Sequence, residues 1–294
     1  MWTVLMPEPG SDSAQGRSGS PVTGAVPVLS VLNLRKVFGA LVAVDDMTFD
    51  LMPGRSLAIV GESGSGKTTV ARMIVGLERP TSGTIVACGR DRSRPARRGA
   101  ERKQRGREVQ IVFQDPYSSL DPRQSGAQLI DEVLRVHHDH DAPARRRMVG
   151  ELAEVVGLDQ RQINALPRAL SGGQRQRVAI ARALATDPRV LILDESVAAL
   201  DVSIQAQVLN VLADIRDERG ISYILISHDL AVVRQLTEDA IVMQRGVVVE
   251  RGPTGEVLDH PRHEYTQLLR ASVPGPGWRP TRRRTGDATA PAAG

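Results

Sequence analysis

Between Val28 and about Val273, short runs of aliphatic and β-branched residues alternate with stretches of helical period. Ser56 to Val60, Val109 to Phe113, Val190 to Leu193 and Tyr223 to Ile226 read as strands, because each is a compact apolar run bounded by polar or glycine positions. Helices are expected from Gly66, near Gln205 and from Asp229, each following one of these runs. Strand–helix alternation of this kind predicts a mainly parallel sheet with helices on its faces. From about Pro122 to Pro167 the pattern changes: Gln128 to Val136 and Ala144 to Val156 have helical period and no strand intervenes, which predicts a helical insertion. No internal repeat is visible.

The ends of the chain lack periodicity. Met1 to Pro27 and 274–294 are rich in Gly, Ser, Pro or Ala and are expected to be flexible tails around one body spanning residues 28–273; they also hold both tryptophans, Trp2 and Trp278. A length of 294 residues allows a single α/β unit of this size. With 41% hydrophobic and 24% charged residues the chain is composed like a globular protein. No apolar stretch reaches the roughly 18 to 20 residues that span a bilayer, so any membrane role is expected to run through a partner. The net charge of +4 is concentrated in Arg90 to Arg107 and Arg279 to Arg284, read as a solvated loop and a solvated tail, and no nucleic-acid partner is drawn from it. The one cysteine, Cys88, excludes an internal disulfide and is expected to be a small apolar strand residue.

Candidate chemistry gathers where the predicted strands end. Ser56 to Val60 runs into Gly61, Glu62, Ser63, Gly64, Ser65, Gly66, Lys67, Thr68 and then Thr69, a P-loop pattern in the required strand-to-helix setting. Its glycines let several backbone N–H groups converge on phosphate oxygens, and the helix adds its positive dipole end. Lys67 is expected to reach the β- and γ-phosphates, and Thr68 to ligate Mg²⁺. Val190 to Leu193 leads to Asp194 and Glu195, placing two carboxylates at a strand's carboxyl end: Asp194 for the Mg²⁺ shell, Glu195 as general base for the attacking water. Tyr223 to Ile226 brings His228 to the same edge, where an imidazole can donate to a γ-phosphate.

Leu170-Ser171-Gly172-Gly173-Gln174 resembles the signature of the ABC family of ATPases. The resemblance runs from Val28 to about Val273, with Gln114 in Val112-Phe113-Gln114-Asp115-Pro116 similar to a Q-loop, Asp194-Glu195 to Walker B, Ala199-Leu200-Asp201 to a D-loop and His228 to an H-switch. It implies an α/β fold of the P-loop NTPase, ABC-type nucleotide-binding domain, with a mainly parallel core sheet, an antiparallel β subdomain and the helical insertion. It further implies binding of ATP and Mg²⁺, with Gln114 touching the metal. Ser171 and Gly173 would cap the nucleotide of an opposing ATPase subunit, and Asp201 would lie across that interface. Phe38 stands at the interval before Lys67 where the family places an adenine-stacking aromatic, although a core role is the alternative.

Finer likenesses point to the peptide and nickel importer branch: Gln114 to Pro122, Leu200 to Leu209, and His260 to Leu269. They imply two membrane permease subunits, an extracytoplasmic solute-binding protein, a homo- or heterodimer of ATPase subunits, and a place at the cytoplasmic face of the cell membrane. The solute expected is a di- or oligopeptide, with nickel or another small solute as alternative; a soluble, non-transport ABC ATPase is the reading from a different class. The chain departs from the branch at Ser196, where Pro is usual, and at Ala198, where Ser is usual. Loss of that Pro is expected to loosen the turn carrying Glu195.

Overall fold

The computed structural model describes residues 26–115, 119–196 and 202–272; Asp201, the N-terminal tail up to residue 25, the C-terminal tail, both tryptophans and Arg279 to Arg284 lie outside them. Ten strands form two sheets among these residues. The larger holds β3 (Ser56–Val60), β6 (Val109–Val112), β7 (Val190–Asp194), β8 (Ser222–Ser227), β9 (Asp239–Gln244) and β10 (Val247–Pro253), in spatial order β10-β9-β3-β8-β7-β6. Neighbours from β9 through β6 pair parallel, and only the β9–β10 hairpin at the edge is antiparallel. The smaller sheet is antiparallel and comprises β1 (Leu29–Phe38), β2 (Leu41–Leu51), β4 (Ser82–Ala87) and β5 (Arg90–Asp91), in order β2-β1-β4-β5.

Every residue of β3, β7 and β8 is buried, which is why these strands read as continuous apolar runs. Successive residues face opposite sides. Ala58, Val60, Leu191, Leu193 and Leu225 join a core with the helices Gly126–His137, Ala142–Val155, Gly172–Leu184 and Val202–Arg219. Leu57, Ile59, Val190, Ile192 and Ile224 face a second core with helix α1 (Lys67–Val75) and the antiparallel sheet, through Leu29, Leu34, Met47 and Ile85. One strand layer thus carries helices on one face and a β layer with α1 on the other. Its own position is fixed by burial on both sides.

The stretch between β6 and β7 contains helices and no strand among the described residues, and each helix start has a local cause. Ser125 and Gln128 form a capping box at Gly126–His137, and Asp141 accepts the Ala144 N–H at 2.8 Å with Pro143 in the first turn of Ala142–Val155.

Two expectations are corrected. Cys88 is not a strand residue: it and Gly89 form the tight turn between β4 and β5, both with positive φ, +51° and +73°. A two-residue hairpin needs that geometry to match strand twist, and the side chain's size does not enter. The Arg90 to Arg107 stretch is solvated for the most part, as expected, but it is not a loop, since most of it is β5 and the helix Gly99–Glu108. Arg92 is buried and donates from Nη2 to Glu108 Oε2 at 2.5 Å, while Arg90 pairs with the other oxygen of the same carboxylate. Glu108 therefore draws two of the arginines into structure, because a buried guanidinium needs a paired carboxylate.

Candidate active site

The site follows from the parallel order of the large sheet. Adjacent strands β3, β8, β7 and β6 end on one edge, and their carboxyl ends deliver the P-loop, His228, Asp194 with Glu195, and Gln114. A cleft of 660 Å³ at this edge is lined by Phe38, Ser63, Gly64, Gly66, Lys67, Thr68, Thr69, Gln114 and Glu195. It therefore unites candidate residues drawn from β1, the P-loop, β6 and β7.

Within the P-loop, backbone freedom is indispensable at Gly61 and Gly66. At Gly66 φ is +106°, and a Cβ there would stand 2.3 Å from the Ala43 carbonyl oxygen. At Gly61 a Cβ would stand 2.2 Å from the Met243 carbonyl oxygen. Lys67 is buried, with Nζ donating to the Gly61 carbonyl at 2.7 Å and the Glu62 carbonyl at 2.8 Å. Burial pulls its ammonium below the usual lysine range, against the opposing pull of Glu195, Asp194 and Glu62. The loop thus holds a partly desolvated cation over neutral carbonyls, a placement that an arriving polyphosphate would improve.

Thr68 donates to Asp194 Oδ1 at 3.2 Å. Burial pushes the Asp194 carboxyl above its ordinary range, more strongly than the Thr68 hydrogen bond lowers it. Glu195 Oε2 lies 3.6 Å from His228 Nδ1. The Glu195 backbone has φ +48°, left-handed for a non-glycine residue, and is held by its N–H bond to the Ile226 carbonyl at 2.9 Å. That bond ties the turn to β8 even though Ser196 stands where Pro was expected. Ser196 is itself buried, and its hydroxyl has no hydrogen-bond partner among the described residues.

The family model described as ABC transporter matches residues 44–198 of this sequence. The chain belongs to the ABC transporter family. It is 46% identical over 250 residues to the oligopeptide transport ATP-binding protein OppD of Mycobacterium bovis, covering 85% of this chain and 40% of that relative. It is 41% identical over 239 residues to the oligopeptide transport ATP-binding protein OppF of Lactococcus lactis subsp. lactis, covering 81% and 74%. The chain thus spans 40% of the length of the first relative and about three quarters of the second. Among solved structures it is similar to a dimeric ATP-binding cassette in a post-hydrolysis state bound to ADP and Pi, with TM-score 0.71, 28% identity, and coverage of 77% of this chain and 98% of that one.

The ABC signature stands apart from the cleft. Ser171 is the N-cap of Gly172–Leu184 and accepts the Gln174 N–H at 3.3 Å, while Gln174 accepts the Ser171 N–H at 2.9 Å. Neither Ser171 nor Gly173 lines the cleft, whereas Phe38 does, 45% exposed at the end of β1 with Lys36 Nζ 4.5 Å from its ring centre. That exposure excludes the core alternative for Phe38.

Residues 41–43 and Arg245 also line the cleft, and no motif marks them in the sequence. Arg245 and Gly246 form the β9–β10 turn, both with positive φ, and Gly246 N–H donates to the Ser65 carbonyl at 3.0 Å. The Arg245-Gly246 pair between apolar runs signals a hairpin, but its docking on the P-loop depends on distant strands.

Proposed function

We propose that this ABC family chain is an ATP-hydrolysing subunit, working as half of a cassette dimer on two membrane permeases to energise uptake of di- or oligopeptides. The observation that carries the catalytic part is the meeting of Lys67, Thr68, Asp194, Glu195 and His228 on one sheet edge beside an exposed Phe38. Peptide uptake is supported by relatives named as oligopeptide transport proteins and by 46% identity over 232 residues to the glutathione import ATP-binding protein GsiA of Salmonella typhi, covering 79% of this chain and 37% of that relative. A dimer is supported by the dimeric ADP-bound and Pi-bound neighbour. Among the described residues no helix is long and apolar enough to cross a membrane, consistent with a peripheral subunit docked at the cytoplasmic face.

Phe38 stacks on the adenine, and the P-loop N–H groups of Gly64 to Thr69 receive the phosphates. Lys67 has three N–H donors: it keeps the Gly61 carbonyl and gives up the Glu62 carbonyl for β- and γ-phosphate oxygens. The donors beside it are hard oxygens, the Thr68 hydroxyl and the Asp194 carboxylate, and this set fits Mg²⁺ with Gln114 at the rim of the same cleft. Bound Mg²⁺ supplies neutralisation of charge on the β- and γ-phosphates. Glu195 accepts a proton from the attacking water as its oxygen bonds to the γ-phosphorus and the bond to the bridging oxygen breaks, releasing ADP and phosphate. His228 donates to the γ-phosphate beside Glu195. Ser171 and Gly173 present an O–H and a backbone N–H to the γ-phosphate held by the opposing subunit, with Asp201 at that interface.

Hydrolysis by the assembled transporter tests the proposal. Glu195→Gln should retain ATP binding and lose roughly 10²- to 10⁴-fold in turnover, the range for a removed general base. Equal rates for the variant and the wild-type protein would remove Glu195 from that role. Uptake of a labelled dipeptide into vesicles, dependent on ATP and on Lys67, tests the cargo.

A further inference from the structure

The C-terminal helix Glu264–Ala271 meets the P-loop at a point outside the chemistry described above. Tyr265 is 5% exposed, and its hydroxyl oxygen accepts the Glu62 N–H at 2.9 Å. This N–H belongs to the same peptide unit as the Gly61 carbonyl, the acceptor 2.7 Å from Lys67 Nζ. A peptide is planar, so fixing the direction of the N–H fixes the direction of the carbonyl on its other side. Gly61 has no Cβ to restrict rotation of that plane, and the plane's orientation is set by the groups at its two ends. One end is the catalytic ammonium; the other is Tyr265. Hydrogen bonds through one amide also polarise each other, so the phenol strengthens the carbonyl as an acceptor for Lys67.

Tyr265 is itself anchored. His263 Nδ1 accepts the Tyr265 N–H at 3.1 Å, capping the helix, and the two carboxylate oxygens of Glu250 on β10 accept the Arg262 and His263 N–H groups at 2.9 and 3.1 Å. The residues that place the phenol thus lie beyond the segment 44–198 that holds the P-loop, Asp194 and Glu195.

We infer that Tyr265 is a positioning residue for Lys67, acting through the Gly61–Glu62 peptide so that the C-terminal helix sets the readiness of the P-loop to take nucleotide. This rests on the ATP-binding reading. With the phenol present the peptide plane is already ordered when the phosphates arrive; without it, binding must order the plane.

A double-mutant cycle on the full-length chain tests this, with the dissociation constant for ATP in Mg²⁺ read by calorimetric titration for wild type, Tyr265→Phe, Lys67→Ala and the double variant. Tyr265→Phe keeps the ring and should weaken ATP binding about fivefold, the scale of one net hydrogen bond. In the Lys67→Ala background the same change should cost less than twofold. Tyr223→Phe serves as a packing control, because the buried Tyr223 hydroxyl donates to the Leu212 carbonyl at 2.8 Å, away from the P-loop; it should lower the melting temperature without moving ATP affinity. Equal penalties of Tyr265→Phe with and without Lys67, no penalty in either, or a matching loss in Tyr223→Phe would each overturn the positioning role. Absence of ATP binding by the wild-type protein would instead overturn the nucleotide reading itself. If Tyr265→Phe does not fold, Glu250→Gln, which weakens the anchor while keeping the phenol, takes its place in the cycle, with the same outcomes deciding.

Discussion

The helices Lys67–Val75 and Gly172–Leu184 both start at glycine-containing turns, and they are finished in opposite ways. Gly66 has no side chain to cap α1, so the first-turn N–H groups are left to the loop and to whatever enters the cleft. Ser171 and Gln174 close the second helix with a reciprocal capping box made entirely from neighbouring residues. The Ser171 oxygen accepts within that box, which leaves its O–H proton available to another acceptor. One helix start has no cap of its own, packs so closely on the Ala43 carbonyl that only glycine fits at Gly66, and is tied to a distant turn by the Gly246 N–H on the Ser65 carbonyl; the other is locally complete. On the proposed reading, then, one anion site is built by withholding a cap and the other by retaining a cap that still has a proton to give.

Substitution of the glycines at the two helix starts separates these designs most strongly. Gly66→Ala should lower stability by about 3 kcal/mol or more in urea denaturation and abolish ATP binding, because strain at φ +106° adds to a clash with backbone. Gly172→Ala should change stability by less than about 1 kcal/mol, since its Cβ would approach only the end of Arg175 at 4.0 Å and alanine favours helix. Similar losses in both would erase the distinction between the two helix starts.

Ser171→Ala comes next, with a stability loss of about 1 kcal/mol for a removed cap. ATP binding by the isolated chain should persist while hydrolysis by the assembled transporter falls. A Ser171→Ala protein that loses ATP binding as a separated chain would place the signature in the same site as Lys67 and contradict the geometry.

Asp194→Asn gives the smallest effect and the one that depends on pH. Burial raises the Asp194 pKa, so the folded ligand-free chain holds this proton more tightly than the unfolded chain. The resulting stability is fully present below the ordinary carboxyl value of 3.8 and is lost as pH rises through the raised value. In melts without nucleotide, the Asn variant should therefore gain on the wild-type protein as pH increases from about 4 toward neutrality. A gap that is constant with pH would mean that Asp194 is not held in its raised state.

Legibility in the sequence followed the same division between local and distant causes. Strands β3, β7 and β8 show as apolar runs because both faces are buried, and the starts of the helices at Gly66 and Asp229 follow directly from the adjoining turns. The antiparallel sheet entered only through family resemblance: β1 and β2 have register shifts around Val31, Leu34 and Lys36 that break the two-residue alternation. The turn at Cys88 and the ordered structure of the Arg90 to Arg107 stretch depend on hairpin twist and on the Glu108 carboxylate, and neither shows in local pattern. At the site, the P-loop and the Asp194-Glu195 pair were legible as motifs on strand ends. Arg245 and Tyr265 were not, since each reaches the loop from a part of the chain well over a hundred residues away.

By itself the sequence determined which residues are candidates to bind and cleave a nucleotide, because glycine placement, a lysine after the loop and carboxylates after an apolar run are short-range chemistry. The tertiary structure decided that they share one edge. Parallel pairing aligns the carboxyl ends of β6, β7, β8 and β3, and only that register sets Thr68 3.2 Å from Asp194 and Glu195 3.6 Å from His228. The physical reason is that a motif fixes its own backbone, whereas the distance between motifs is set by the hydrogen bonding and burial of the strands that carry them.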